Sequence, residues 1–423
     1  MNRIITVFVL LCCYSFSACA QTSGNASPVS LKLPAGFSAT VVADKLGRAR
    51  HIAVNTNGDI YVKLERLKDA KGIIRLRDTN GDGVADEQFA FCNYAGTGIA
   101  ISNGYLYASS NSEVYRYKFN SKNEIENPES PEKIVTGLVD KRQHASKSIT
   151  LDGKGNIYVN IGAPSNACQE QDRTAGSPGQ TPCPILETAG GIWQFKIDKL
   201  NQSYAEGVRY ATGLRNVVGL DWNNSFNELY VTQHGRDQLN TLHPTLYNDA
   251  QSSELPAEEF FIAKKGMDFG WPYCYYDPVQ KKKVLAPEYG GDGKKEGDCG
   301  TKEKPLVAFP AHWGPNALLF YTGNKFGDKY KNGAFIAFHG SWNRAPLKQG
   351  GYNVVFVPMK DGKPSGEYEI FADDFAGGEE NLSPAKAKHR PCGLAMGTDG
   401  SIYISDDQGG TVWKITYNGK LCN

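Results

Sequence analysis

Asn57-Gly58-Asp59-Ile60-Tyr61-Val62 decides the fold. An Asn-Gly pair takes the tight turn, and the residues after it suit a short strand with an aromatic at its centre. The same unit returns at Asn103-Gly104-Tyr105-Leu106-Tyr107, Gly155-Asn156-Ile157-Tyr158-Val159 and Asn227-Glu228-Leu229-Tyr230-Val231. It recurs at Asn332-Gly333-Ala334-Phe335-Ile336 and Asp399-Gly400-Ser401-Ile402-Tyr403-Ile404. A second alternating strand is expected after each copy: 73–77, 114–119, 192–197, 238–242, 352–357 and 411–417. Such units cannot bury their apolar faces alone and must stack on their neighbours. Six of them imply an all-β chain, a six-bladed β-propeller of four-stranded blades around a channel. A β-sandwich does not call for six copies of one motif.

The ends fit a closed ring. Few residues follow Tyr417, so the last blade lacks an outer strand. Phe37-Ser-Ala-Thr-Val-Val-Ala43 precedes the first repeat and can supply it, which removes the free edges.

Ahead of that strand, Arg3 and the apolar run Ile4–Cys13 read as an export signal, residues 1–20, with a linker at 21–32 and the propeller over 33–423. Phe16-Ser-Ala-Cys19 suits lipidation at Cys19, whereas Ala18-Cys19-Ala20 suits simple cleavage before Gln21. Export permits disulfides. Cys168 and Cys183 flank one Gly/Pro/Ser-rich loop and Cys274 and Cys299 flank another, so these are the two expected bridges. Cys92, Cys392 and Cys422 are left over. A net charge of +1 without a long basic run argues against a nucleic-acid partner. Contact with a membrane is expected only through the lipid.

Repeat phase places side chains at one mouth of the channel. Just before the innermost strands stand Arg50-His51, His144, Arg215-Asn216, His312 and His389-Arg390. After the aromatic strands stand Glu65, Asn111, Gly162, His234, His339 and Asp407. Arginines and histidines gathered in one concavity repel each other, and an anionic ligand would offset that. His339-Gly-Ser-Trp342-Asn-Arg344 adds an indole to wall a planar ligand and a guanidinium to pair with its carboxylates. In His234-Gly235-Arg236, the glycine lets backbone carbonyls turn towards a cation. Asp78, Asn80, Asp82 and Asp86 carry oxygens at the spacing of a calcium loop, with Gly83 at the bend. The final glutamate of an EF-hand is absent, since Phe89 stands there. Any calcium here would be structural. There is no Gly-x-Ser-x-Gly, no Gly-x-Gly-x-x-Gly opening a helix, no His-Glu-x-x-His and no Cys-x-x-Cys-His.

Over about Leu33 to Tyr417, the chain resembles the glucose/sorbosone dehydrogenases. It looks most like the sorbosone dehydrogenase branch and its fungal pyranose dehydrogenase relatives. The motifs that carry the resemblance are Gly213-Leu-Arg-Asn216, His234-Gly235, Gly270-Trp-Pro-Tyr273, His339-Gly-Ser-Trp-Asn-Arg344, His389-Arg-Pro391 and Ser405-Asp-Asp407. The resemblance implies bound pyrroloquinoline quinone and Ca2+, a sugar-type alcohol or aldose as substrate, and a separate electron acceptor such as a cytochrome or quinone. It implies His144 as the base and Arg215 and Asn216 beside the quinone. It also implies Gly235 and Arg236 carbonyls around calcium, and Arg344 and Arg390 on the quinone carboxylates. Arg50, His312, His339 and Trp342 are expected to complete the quinone site. The glucose branch has an arginine where Cys392 stands, and its fifth-blade lysine has no clear match. Two other readings are a non-catalytic propeller that binds a glycan or protein, and a calcium-dependent lactonase. The latter would want metal-binding carboxylates at the axis, where this mouth offers mainly Arg and His.

Overall fold

The computed structural model describes residues 30–419. The expected leader, Cys19 and Cys422 lie outside them. Six blades form a ring. Strand β1, Phe37–Ala43, is the outer strand of the sixth blade and pairs antiparallel with β24, Val412–Tyr417, from Phe37↔Tyr417 to Ala43↔Val412. The first blade is β2 (Ala49–Val54), β3 (Ile60–Lys68), β4 (Lys71–Arg77) and β5 (Glu87–Phe91). The second is β6 (Ile99–Ser102), β7 (Tyr105–Ser109), β8 (Val114–Lys118) and β9 (Glu132–Thr136). The third is β10 (Ile149–Leu151), β11 (Asn156–Ile161), β12 (Gly191–Lys196) and β13 (Val208–Thr212). The fourth is β14 (Leu220–Asn223), β15 (Glu228–Gln233), β16 (Glu258–Ala263) and β17 (Val307–Phe309). The fifth is β18 (Pro315–Phe320), β19 (Ala334–Phe338), β20 (Asn353–Val357) and β21 (Glu369–Ala372). The sixth adds β22 (Pro391–Met396) and β23 (Ile402–Asp406).

The strands alternate between two cores because each blade is covered on both faces. In β3, Ile60, Val62 and Leu64 pack with Ala395 and Tyr403 of the sixth blade. Tyr61 of the same strand packs with Leu106 and Tyr117 of the second blade. Closure is held by aromatic contact as well as the ladder. The Phe37 ring meets Phe326, Tyr330 and Phe371 edge-on, with centroids 4.8, 5.4 and 5.1 Å away. Lys32 is bridged to Asp373, so chain expected as linker already packs on the fifth blade.

One expected strand is corrected. Residues 238–242 do not form the fourth blade's third strand; Leu239–Leu242 is a short α-helix, α1, and β16 takes that place. The buried pair Leu239 and Leu242 is spaced by three, as a helical turn requires, and Gln238 enters it with φ 64°. A second short helix, α2 (Asp249–Glu254), follows before the chain returns to the blade. Both expected disulfides form, Cys168–Cys183 and Cys274–Cys299. Cys92 and Cys392 are buried free thiols.

Candidate active site

One mouth of the channel opens into a cavity of about 470 Å³. It gathers Arg50, His144, Arg215, Asn216, Gly235, His312, His339, Trp342 and Arg390. Each reaches it from the start of an inner strand, the turn before it or the turn after the next strand, so the blade repeat itself makes the ring.

Four histidines line this cavity, and their hydrogen bonds separate them. His234 donates from Nε2 to Pro315 O (3.0 Å) and His312 from Nε2 to Ser252 O (2.8 Å). His339 uses Nε2 on Asp407 Oδ1 at 2.7 Å. His144 alone uses Nδ1, donating to Ala163 O at 2.5 Å. A carbonyl only accepts, so the proton sits on Nδ1 and the Nε2 lone pair is left without a partner among the described residues. Burial, with Arg215 nearby, holds the His144 imidazole down to about 3. It is therefore neutral at ordinary pH. His144 has φ 53°, and Gly162 leaves it room: a Cβ at Gly162 would come within 2.7 Å of His144 Cβ and Asn216 Oδ1.

The arginines are fixed by their partners. Arg50 holds Asp407 Oδ2 at 2.7 Å, and Asp407 also takes His339. Arg390 donates to the carbonyls of His339 (3.1 Å) and Gly340 (2.8 Å). Arg215 binds Asp237 Oδ2 at 2.7 Å, Gly235 O at 2.8 Å and Asn166 Oδ1 at 3.1 Å. Its charge thereby organises the Gly235 turn. Trp342, 54% exposed, forms a flat wall at the rim.

Several expected residues stand elsewhere. Arg344 turns away from the cavity, bonding Ser253 O at 2.7 Å and Glu254, and staples its loop to α2. The Arg236 side chain is buried on Glu288 at 2.5 Å, outside this cavity, which leaves only its backbone for any metal role. His51 bonds Asn316 O at 2.7 Å and lines the channel below, while His389 is buried against Asp406 at 2.9 Å. Asp78, Asn80, Asp82 and Asp86 form an exposed loop beside β1, where Ala85 N donates to Val42 O. In it, Asp78 accepts from Gly81 and Gly83 N–H, Asn80 from Asp82 N–H, Asp82 from Val84 N–H and Asp86 from Thr79 N–H.

The sequence reading placed the turns of Asp237 and Asn343 at the mouth without giving either residue a role, and passed over Glu258, Arg142 and Asn316; all five line the cavity. Asp237 joins three blades by accepting from Arg215, Arg173 (2.7 Å) and Asn343 (2.5 Å). Despite its burial, those arginines hold its carboxyl well below the usual range. Glu258 accepts from Gly235 N (2.9 Å) and Gly314 N (3.0 Å), and burial pushes it up to about 7. Asp237 had a signal, being three residues after His234 in the same turn. Glu258 had none, because its strand was placed elsewhere. The exposed Arg142 has no acidic partner among the described residues. Asn316 Oδ1 and Asn343 Oδ1 are buried without hydrogen-bond partners.

Comparison with known proteins adds the family. An uncharacterized protein of Borreliella burgdorferi is 29% identical over 335 residues, 76% of this chain and 75% of that one. A pyrroloquinoline quinone-dependent sugar dehydrogenase of Hypocrea jecorina is 21% identical, with 97% and 96% covered. A pyrroloquinoline quinone-dependent pyranose dehydrogenase of Coprinopsis cinerea is 24% identical over 90% of this chain and 54% of its own. Among solved structures, the calcium structure of the Trichoderma reesei family AA12 enzyme superposes with TM-score 0.76 at 19% identity, covering 93% and 99%. The holo pyranose dehydrogenase quinone domain of Coprinopsis cinerea gives 0.74 at 19%, covering 92% and 98%. These structures share the fold with this chain. A sequence model of the TrAA12-like family matches residues 31–418, and the chain belongs to that family.

Proposed function

We propose that this chain is a quinone-dependent oxidoreductase that oxidises a sugar-type alcohol or aldose, using pyrroloquinoline quinone and calcium. The observation that carries the reading is His144: a neutral imidazole with a fixed tautomer and an unpartnered Nε2, set in an arginine-rich cavity. The names of the curated relatives support the same reading.

The residues suit the cofactor. Arg50 is paired with Asp407 and Arg215 with Asp237, whereas Arg142 and Arg390 have no acidic partner within ion-pair distance among the described residues. These two unpaired guanidiniums match a planar polycarboxylate. Arg142 and Arg390 would hold its carboxylates, with Arg50, Asn216, His312 and His339 around it, and Trp342 would flank its plane. The carbonyls of Gly235, which also accepts from Arg215, and of Arg236 would be the hard oxygen ligands for calcium, and the neighbouring Asp237 offsets the charge of Arg215. When bound, the quinone supplies a two-electron acceptor and calcium supplies Lewis acidity. His144 Nε2 takes the substrate hydroxyl proton. Ala163 O holds the ring in place and stabilises the cation that forms. A separate acceptor would take the electrons.

Residues 1–20 are proposed to direct export, with lipidation at Cys19 or cleavage after Ala20. The test of function is reconstitution. Metal-free protein given calcium and the quinone should change the quinone's absorption and reduce a dye with aldoses. Neither change, in well-folded protein, would reject the oxidoreductase reading.

A further inference from the structure

We propose that Cys392 and His339, with Asp407 beside them, form a site for a soft monovalent metal ion, copper(I). The thiol sulfur, an imidazole nitrogen and a carboxylate oxygen of these residues all lie within 4.8 Å of one another. Among the described residues, this is the single such group of His, Cys and acidic ligands. Cys392 is the second residue of β22, Asp407 follows β23, and His339 follows β19, so the fifth and sixth blades supply the ligands jointly. Cys392 is fully buried, and its sulfur accepts only a long contact from Asn316 Nδ2, 3.5 Å away. His339 lines the open cavity, which gives an ion a way in.

The donor set and the local charge select the ion. Thiolate and imidazole are the soft-to-intermediate donors that favour copper(I). Asp407 is already committed to Arg50 at 2.7 Å, and Arg390 lies close by. Loading forms a copper–sulfur bond, breaks the S–H bond of Cys392 and releases one proton to solvent. No oxidation state changes. His339 gives up its contact with Asp407, its Nε2 proton moves to Nδ1 and Nε2 takes the ion, while Asp407 keeps Arg50. The net charge of the buried cluster is unchanged by a monovalent ion. Zinc entering the same way would add a positive charge beside two arginines, where burial gives little screening. Donor softness and charge balance therefore point to the same ion.

The test uses the full chain, free of quinone and under anaerobic conditions, in a background in which Cys12, Cys13, Cys19, Cys92 and Cys422 are all changed to serine, so that Cys392 is the one thiol outside the two disulfides. Copper(I) is offered as its coloured bicinchoninate complex. The protein should remove one equivalent, and Cys392→Ser should weaken binding by about 100-fold or more, because the thiolate is lost. Equal uptake by Cys392→Ser would overturn the site. So would displacement of copper(I) by an equal concentration of zinc. X-ray absorption on the background protein gives a result that does not depend on that variant folding. A sulfur and a nitrogen neighbour are expected, and a shell of oxygen and nitrogen alone would refute the assignment. None of these readouts requires dehydrogenase activity, so failure of the site and failure of the proposed function are separable.

Discussion

At the scale of single residues, His144 and Arg390 are expected to separate catalysis from cofactor binding. His144→Ala should bind the quinone almost normally, yet turn over about 10²–10⁴-fold more slowly, because a positioned base is lost. Arg390→Ala should weaken quinone binding, since a charge-assisted contact is removed, with less effect on turnover at saturation. Quinone titration followed by steady-state kinetics distinguishes them; normal turnover of His144→Ala would refute the base assignment. Glu258 supplies a pH signature. Burial raises its carboxyl from 4.5 to about 7, so across that window the folded chain holds a proton that the unfolded chain has lost. Stability from this group is therefore lost as pH rises from about 4.5 towards 7. Glu258→Gln removes the titration. Whatever offset the changed acceptor imposes at pH 5, the balance should move in favour of the variant by up to about 3 kcal/mol by pH 8. Urea unfolding of metal-free protein at both pH values measures this, and parallel curves would show that Glu258 is ionised throughout.

At the scale of elements, β1 decides whether the ring is closed. Its ladder with β24 runs over six residue pairs, and Phe37 adds contacts to three rings of the fifth blade. Phe37→Ala should cost about 2–3 kcal/mol, somewhat less than a fully buried phenylalanine, because the ring is only half-buried. The unfolding midpoint in urea checks this. Increased amide exchange should concentrate in β24, whose outer edge would be uncovered, rather than in the second or third blade. A uniform increase around the ring would show that closure is not local to this seam.

At the scale of the whole molecule, the cavity is built by every blade, so an occupant should stabilise the ring as a unit. Ligand that binds only the folded chain adds about 2.7 kcal/mol at a hundredfold excess over Kd. Quinone with calcium should therefore raise the Tm, and a calcium chelator should reverse much of that rise. A rise with calcium alone that survives Asp78→Ala/Asp82→Ala, in the exposed loop beside β1, would locate the ion in the cavity. A calcium effect abolished by those substitutions would locate it in the loop.

The sequence by itself determined the blade count, the closing strand and both disulfides, because these rest on local signals: turn residues, two-residue alternation and cysteines flanking loops. It also determined which turns face the cavity, since every blade repeats the same phase. His144, Arg50, Arg215 and Arg390 were legible on that basis. The phase argument failed for His51 and His389, which stand at that phase but point elsewhere, and again where the chain leaves the repeat. The insertion carrying α1 and α2 hid β16, and with it Glu258. Tertiary structure alone decided the directions of side chains. Arg344 lies in a mouth-facing turn, but finds carbonyls and Glu254 nearer than the cavity. Asp237 becomes the joint between three blades because Arg215, Arg173 and Asn343, far apart in sequence, converge on it. The tautomer of His144 was likewise beyond any motif. It is set by one carbonyl, Ala163 O, that only the folded ring brings to Nδ1.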